Sequence, residues 1–145
     1  MTDLAQRIFA IIKEPHLASF ATIAEESKPW VRYVTCHASE DLTIRFSTFI
    51  GSRKVAQIKK NPEVHLTSGV TDLAAAQAST AQTYLQIQGK AELSTDKAER
   101  EALWNHYLKR YFKGPDDPNY GIIIVKPYRI ELYTMGNFKP DVWKK

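Results

Sequence analysis

The chain has 145 residues, of which 43% are hydrophobic, 11% aromatic and 25% charged. This is the profile of an ordinary globular domain and excludes a disordered, collagen-like or multidomain chain. Folding at this length buries roughly two-thirds of the unfolded surface, enough for one core, so a single domain over residues 1–145 is expected. Lys and Arg number 20 against 16 acids, a formal charge of +4, which favours an anionic ligand without naming one. The bases are interspersed with acids and form no stripe, so no nucleic-acid partner is expected.

Cys36 is the single cysteine, so no internal disulfide forms and nothing in the fold requires an oxidising compartment. Met1-Thr2-Asp3-Leu4 opens with no basic region leading into an apolar stretch, and no apolar run approaches the ~20 residues of a membrane helix. The expectation is a cytosolic protein with no membrane partner.

In chain order, Leu4, Ile8, Ile11 and Ile12 recur at helical spacing behind Thr2 and Asp3, predicting a helix over residues 2–13 that Pro15 ends. Residues 17–24 and 30–37 are β-rich runs separated by the polar turn Glu25-Glu26-Ser27-Lys28-Pro29. After Ser39-Glu40-Asp41, residues 42–48 alternate Leu42, Ile44 and Phe46 with Thr43, Arg45 and Ser47, the period of a half-buried strand. These three strands form a meander. Gly51 to Pro62 holds a short helix with Ser52 at its N-cap, Val55 and Ile58 on one face, and Asn61-Pro62 as the stop.

Residues 63–68 form a strand, whereas the Ala-rich stretch from Gly69 to Gln82 is too weakly patterned to assign beyond loop or frayed helix. Residues 83–93 return to alternation. Ser94-Thr95-Asp96 caps a second long helix with Trp104, Tyr107, Leu108 and Tyr111 on one stripe, read as core. Gly114 to Asn119 breaks the chain, and residues 120–125 and 128–134 are two closing strands around Lys126-Pro127. About seven strands and three helices, with the strands consecutive, describe a mainly β (α+β) chain: an antiparallel six- to seven-stranded barrel with helices at its periphery.

Ser47-Thr48-Phe49-Ile50-Gly51-Ser52-Arg53-Lys54 is a strand end, a glycine turn, a hydroxyl and two adjacent cations entering a helix. Such a helix start suits a phosphate, because free N–H groups, hydroxyls, an Arg fork and a Lys charge converge there. The competing reading is a plain Ser52 cap with solvated cations. First turns prefer acids, so two cations there point to a bound anion, and the residues alone leave both readings open. Arg32 interrupts an apolar strand face shared with Trp30, Val34 and Cys36, and needs either a protein carboxylate or a ligand phosphate as partner.

Cys36 reads as an inert core thiol. His16, His37, His65 and His106 have no metal-ligand spacing, so no metal site is expected. No G-x-S-x-G, Walker or G-x-G-x-x-G motif occurs, which leaves acyl transfer, ATP hydrolysis and a Rossmann nucleotide site without support.

Pro29-Trp30-Val31-Arg32-Tyr33-Val34, the strand 42–48, Thr48-x-x-x-Ser52-Arg53-Lys54, Gly89-Lys90-Ala91 and the closing Pro127-Tyr128-Arg129-Ile130-Glu131-Leu132-Tyr133 together resemble the pyridoxamine 5'-phosphate oxidase-like superfamily of FMN-binding split barrels. Within it, the chain most resembles the shorter general stress protein branch. The resemblance implies FMN, ahead of FAD, haem or deazaflavin, bound at two sites shared between the subunits of a homodimer. It implies that Arg32, Ser52, Arg53 and Lys54 hold the phosphate and that Ser47 and Thr48 meet the ribityl and phosphate region. Tyr33, Val34, Thr35 and His37 would lie along the flavin, with Tyr84, Gln86 and Tyr133 near the ring. An apolar slot for the ring would come from Trp30, Phe49, Tyr84, Phe138 or Trp143.

The sequence departs from the oxidase at several of these positions. His37 stands where a lysine ends the strand, Tyr84 replaces a flavin-contacting glutamine, Tyr133 replaces a tryptophan, and the Arg-x-His-x-x-Arg substrate segment is missing. The resemblance therefore implies a flavin oxidoreductase other than pyridoxamine 5'-phosphate oxidase proper, acting on a small-molecule redox substrate, with an NAD(P)H link and a stress-related role among the options it leaves open. The alternative is a non-catalytic protein of the same fold that stores or senses a flavin or haem, with His37 or His65 as axial ligand.

Overall fold

A computed structural model describes residues 1–69, 72–78 and 82–145. The described elements are α1 (Asp3–Ile12), β1 (His16–Ile23), β2 (Pro29–Ala38), β3 (Ile44–Phe49), α2 (Arg53–Lys60), β4 (Glu63–Ser68), α3 (Leu73–Ala78), β5 (Thr83–Ser94), α4 (Lys97–Leu103), β6 (Tyr120–Thr134) and β7 (Asp141–Lys144). All pairings are antiparallel, in the order β3-β2-β1-β4-β5-β6-β7, and β3 also pairs with β6. Six strands thus close a barrel and β7 extends the outer edge of β6. Closure leaves few free strand edges, which suits a chain too small to cover them otherwise.

Alternation along each strand sends one set of side chains inward. Phe20 from β1, Phe46 from β3, Leu66 from β4, Leu85 and Ile87 from β5 and Ile130 from β6 are fully buried there. Phe20 and Phe46 meet edge to face with centroids 5.0 Å apart, and each such burial contributes about 1.5–3 kcal/mol. Helix α1 follows its Thr2 cap, whose hydroxyl accepts from the Ala5 N–H, and buries Ile8 and Ile12. Helix α2 buries Val55 and Ile58 and packs on β1 and β5, closing one end of the barrel. A second, smaller cluster, Phe112, Tyr120, Ile122 and Ile124, lies outside the barrel beneath Leu103, Trp104 and Leu108.

Besides the added strand β7, the structure differs from the sequence expectation in four places. The predicted strands 120–125 and 128–134 are one strand, β6, broken in register where Gly89 of β5 faces Pro127 and Gln88 faces Arg129, so Tyr128 is the extra residue. This bulge switches the inward phase from Ile123 and Val125 to Ile130 and Leu132. Gly89 is required because a Cβ there would lie 2.9 Å from the Lys126 carbonyl oxygen.

Strand β3 begins at Ile44 rather than Leu42, since the Asp41 carboxylate accepts from the Thr43 N–H and hydroxyl and prolongs the turn, with Leu42 at φ 67°. The second long helix stops at Leu103, and a 3₁₀ turn, His106–Arg110, follows. Because the helical period breaks there, Trp104 and Leu108 pack inward while Tyr107 and Tyr111 are exposed. The unassigned stretch 69–82 contains α3, and residues 70–71 and 79–81 lie outside the described residues.

Candidate functional site

Strands β2 and β3 pair at only two positions, His37 with Arg45 and Ala38 with Ile44, and then diverge. The first turn of α2 bridges the opening. Lys54 Nζ donates to Thr48 Oγ1 of β3 at 3.2 Å, and the Arg53 guanidinium lies 4.9 Å from the centroid of Trp30 on β2. Ser52 occupies the N-cap position, but its hydroxyl makes no capping bond and instead lies 3.4 Å from Thr48 Oγ1. No acid sits in this turn, so its N–H groups present their partial positive charge unopposed.

Arg32 enters the same region from the inner face of β2. Its Nη1 donates to Thr22 Oγ1 at 2.8 Å and to the Trp30 carbonyl at 3.1 Å, and its Nη2 donates to Gln57 Oε1 at 2.9 Å. Thr22 Oγ1 in turn donates to Gln57 Oε1. Every acceptor is neutral. None of Arg32, Arg53 and Lys54 is in an ion pair among the described residues. Burial and then the neighbouring Arg53 push Arg32 below the usual arginine range, and burial and then Arg32 push Lys54 below that of lysine. The cluster is therefore a self-repelling set of cations at a helix start beside two hydroxyls, an arrangement relieved by a phosphate dianion.

Gln57, one turn after Arg53, and Thr22 on β1 complete the cluster, and neither was singled out in the sequence. Helical spacing from Arg53 could have drawn attention to Gln57; Thr22 needs the β1–β2 register, in which Phe20 faces Arg32 and Thr22 faces Trp30. An arginine nitrogen is only a donor, so the Gln57 atom it touches is the oxygen. The Gln57 nitrogen is then left buried with no partner among the described residues, at a cost of about 1–3 kcal/mol.

The other expected site residues lie elsewhere. Val34 is buried in the barrel, whereas Tyr33 and Thr35 point outward and are exposed. His37 also faces outward, half-buried, and burial and then Arg45 lower its pKa, which favours the neutral ring. Ser47 alternates away from Thr48 and faces Tyr120 beside the second cluster.

Tyr84, Gln86 and Tyr133 lie on the outer face of β5 and β6, across the sheet from Arg32. The Tyr84 and Tyr133 rings stack at 5.1 Å and 10°. The Tyr133 hydroxyl donates to Glu131 Oε2 at 2.9 Å, while Arg129 Nε donates to Glu131 Oε1 at 3.0 Å. Arg129 and then Tyr133 lower the Glu131 pKa.

Among the candidate slot aromatics, Trp30 and Phe49 are half exposed and Phe138 almost fully, while Trp143 packs on the core of its own chain. Burial pushes the Cys36 thiol up to about 12, so it stays protonated. Among the described residues no three His, Cys, Asp or Glu side chains gather to hold a metal, and no helix is long and apolar enough to cross a membrane.

Residues 4–134 match the family described as pyridoxamine 5'-phosphate oxidase. The chain belongs to this family. It is 30% identical over 138 residues to general stress protein 26 of Bacillus subtilis (strain 168), covering 95% of this chain and 94% of that protein. The crystal structure of general stress protein 26 from Bacillus anthracis str. Sterne superposes with a TM-score of 0.80 at 24% identity, over 99% of this chain and all of that one. A heme binding protein from Mycobacterium smegmatis shares the fold, with a TM-score of 0.71 at 16% identity, over 97% of this chain and 56% of that one. The family's split barrel is thus the fold of this chain, with the cation cluster at the split between β2 and β3.

Proposed function

We propose that this protein binds FMN as a homodimer and is a flavin-dependent oxidoreductase with NAD(P)H as electron donor. The observation that carries the reading is the cluster of Arg32, Arg53 and Lys54, free of carboxylates among the described residues, around the unopposed first turn of α2. These residues fit a phosphate monoester: Arg53 and Lys54 supply charge, Thr48 and Ser52 supply hydroxyls, and the helix start supplies N–H donors. Bound FMN would supply the hydride and electron chemistry, and the chain would supply anchorage and orientation.

The same placement argues for two subunits. Tyr84, Gln86 and Tyr133 lie on the opposite sheet face from the cations, so one chain does not offer both groups to one flavin. A second copy related by a twofold axis would bring its outer face to the first copy's cations. Leu17, Val31 and Tyr33, exposed large hydrophobics on β1 and β2, fit such an interface. The departures His37, Tyr84 and Tyr133 and the missing substrate segment argue against pyridoxamine 5'-phosphate as substrate.

The test is the visible spectrum of the purified protein, followed by FMN titration and anaerobic addition of NADH or NADPH. Flavin bands bleached by either nucleotide support the reading; no flavin bands and no micromolar FMN binding would overturn it. The heme-binding relative of the same fold favours a second reading, a non-catalytic flavin- or haem-binding protein. A flavin that neither nucleotide reduces, or a Soret band on haem addition where FMN fails to bind, would select it.

A further inference from the structure

Arg45 and Arg129, the other partly buried arginines with hydrogen-bonded forks, are both neutralised by carboxylates. Arg45 Nε and Nη2 donate to Glu99 at 2.9 and 3.3 Å, and Arg129 donates to Glu131. Arg32 alone among these three is held by uncharged oxygens: the Thr22 hydroxyl, the Trp30 carbonyl and the Gln57 amide. Gln57 is 4% exposed, and its oxygen is shared by Arg32 and Thr22 while its nitrogen has no partner among the described residues. A glutamate at this position would give the Arg32 fork a counter-charge and remove the orphaned donor. For the unliganded chain the amide is the poorer choice.

We infer that Gln57, with Thr22, is a positioning residue that fixes the Arg32 guanidinium without neutralising it, reserving its full charge for a phosphate monoester. The inference deepens the proposed function and rests on it for the identity of the ligand. Thr22 and Gln57 set the direction of the fork through two charge-assisted bonds, and a neutral acceptor leaves the field at the helix start undiminished. A carboxylate would give the same direction but would compete with the phosphate for the same cation.

The test compares wild type with Gln57→Glu in binding FMN, riboflavin and inorganic phosphate. FMN and riboflavin share the ring and ribityl chain and differ in the phosphate. Gln57→Glu should weaken FMN by about ten- to a hundredfold, leave riboflavin unchanged, and abolish the rise in Tm that phosphate gives the wild type. Its own Tm without ligand should equal or exceed the wild-type value.

Equal weakening of FMN and riboflavin would show a merely structural role and overturn the inference, as would unchanged FMN affinity. Should Gln57→Glu fail to fold by circular dichroism, Gln57→Met decides: it removes the acceptor at similar volume and should weaken FMN but not riboflavin, and equal effects on both overturn the inference. If the wild type binds no FMN, the proposed function fails while the phosphate arm still reads the inference. A wild-type Tm indifferent to phosphate, or one that phosphate raises equally in Gln57→Glu, overturns it.

Discussion

The two faces of this barrel treat charge in opposite ways. On the outside, Arg129 sits on Glu131, which also accepts from Tyr133, and Arg45 ties α4 to β3 through Glu99. Both of these arginines have their anion within the chain. At the split between β2 and β3, Arg32, Arg53 and Lys54 crowd one helix start with, among the described residues, only neutral acceptors and an aromatic ring around them. Paired charges hold elements together, whereas a cluster that repels itself costs stability and is retained where a ligand supplies the missing charge. The difference separates the scaffold's arginines from those proposed to meet a ligand.

The largest effect expected from breaking this contrast is on ligand affinity. Arg53→Ala with Lys54→Ala should weaken FMN by about a hundredfold or more in a fluorescence titration at fixed salt. Unfolding stability should stay level or rise, because repelling cations are removed. A double variant that loses stability and keeps its FMN would move these residues to the scaffold side.

The converse substitution is Arg45→Ala, which strands the half-buried Glu99 carboxylate. Between the ranges for exposed and buried pairs, a loss of about 1–3 kcal/mol is expected in urea unfolding, with FMN affinity unchanged.

A smaller effect separates the two regions by pH. Lys54 has a lowered pKa in the folded chain, so as pH climbs toward the ordinary lysine range the unfolded chain holds the extra proton and the folded state gains stability. Lys54→Met should lack that gain, and bound phosphate should reverse it in the wild type by favouring the charged amine. The difference between the two proteins isolates Lys54 from the tyrosines that titrate nearby.

The least effect lies on the outer face in acid. Glu131 is held below the usual carboxylate range by Arg129 and Tyr133, so its contribution is present at neutral pH and is lost as pH falls below that range. Arg129→Met should flatten the acid limb of the stability curve. An identical acid limb in both proteins would mean the pair contributes nothing.

Much of the barrel is legible in the sequence because its signals are local. The β-rich runs at residues 17–24 and 30–37 and the polar turn between them suffice for the first hairpin, and the Ser52-Arg53-Lys54 turn displays its cations openly. What was not legible depends on tertiary placement. Lys126-Pro127 reads as the end of a strand, but Gly89 lets the backbone of β6 pass close enough for a bulge to carry it through. Strand β7, four residues from Asp141 to Lys144, is too short to show a period and forms because Trp143 finds the core. Thr22 and Gln57 look like an ordinary strand threonine and helix glutamine until the register brings them to Arg32.

The central claim is that the split holds a phosphate. The most direct measurement is the ratio of wild-type dissociation constants for riboflavin and FMN at one ionic strength, since the two ligands differ only in that group. The cluster predicts FMN tighter by about a hundredfold or more, with the margin shrinking as salt is raised. Equal affinities for the two flavins would contradict it.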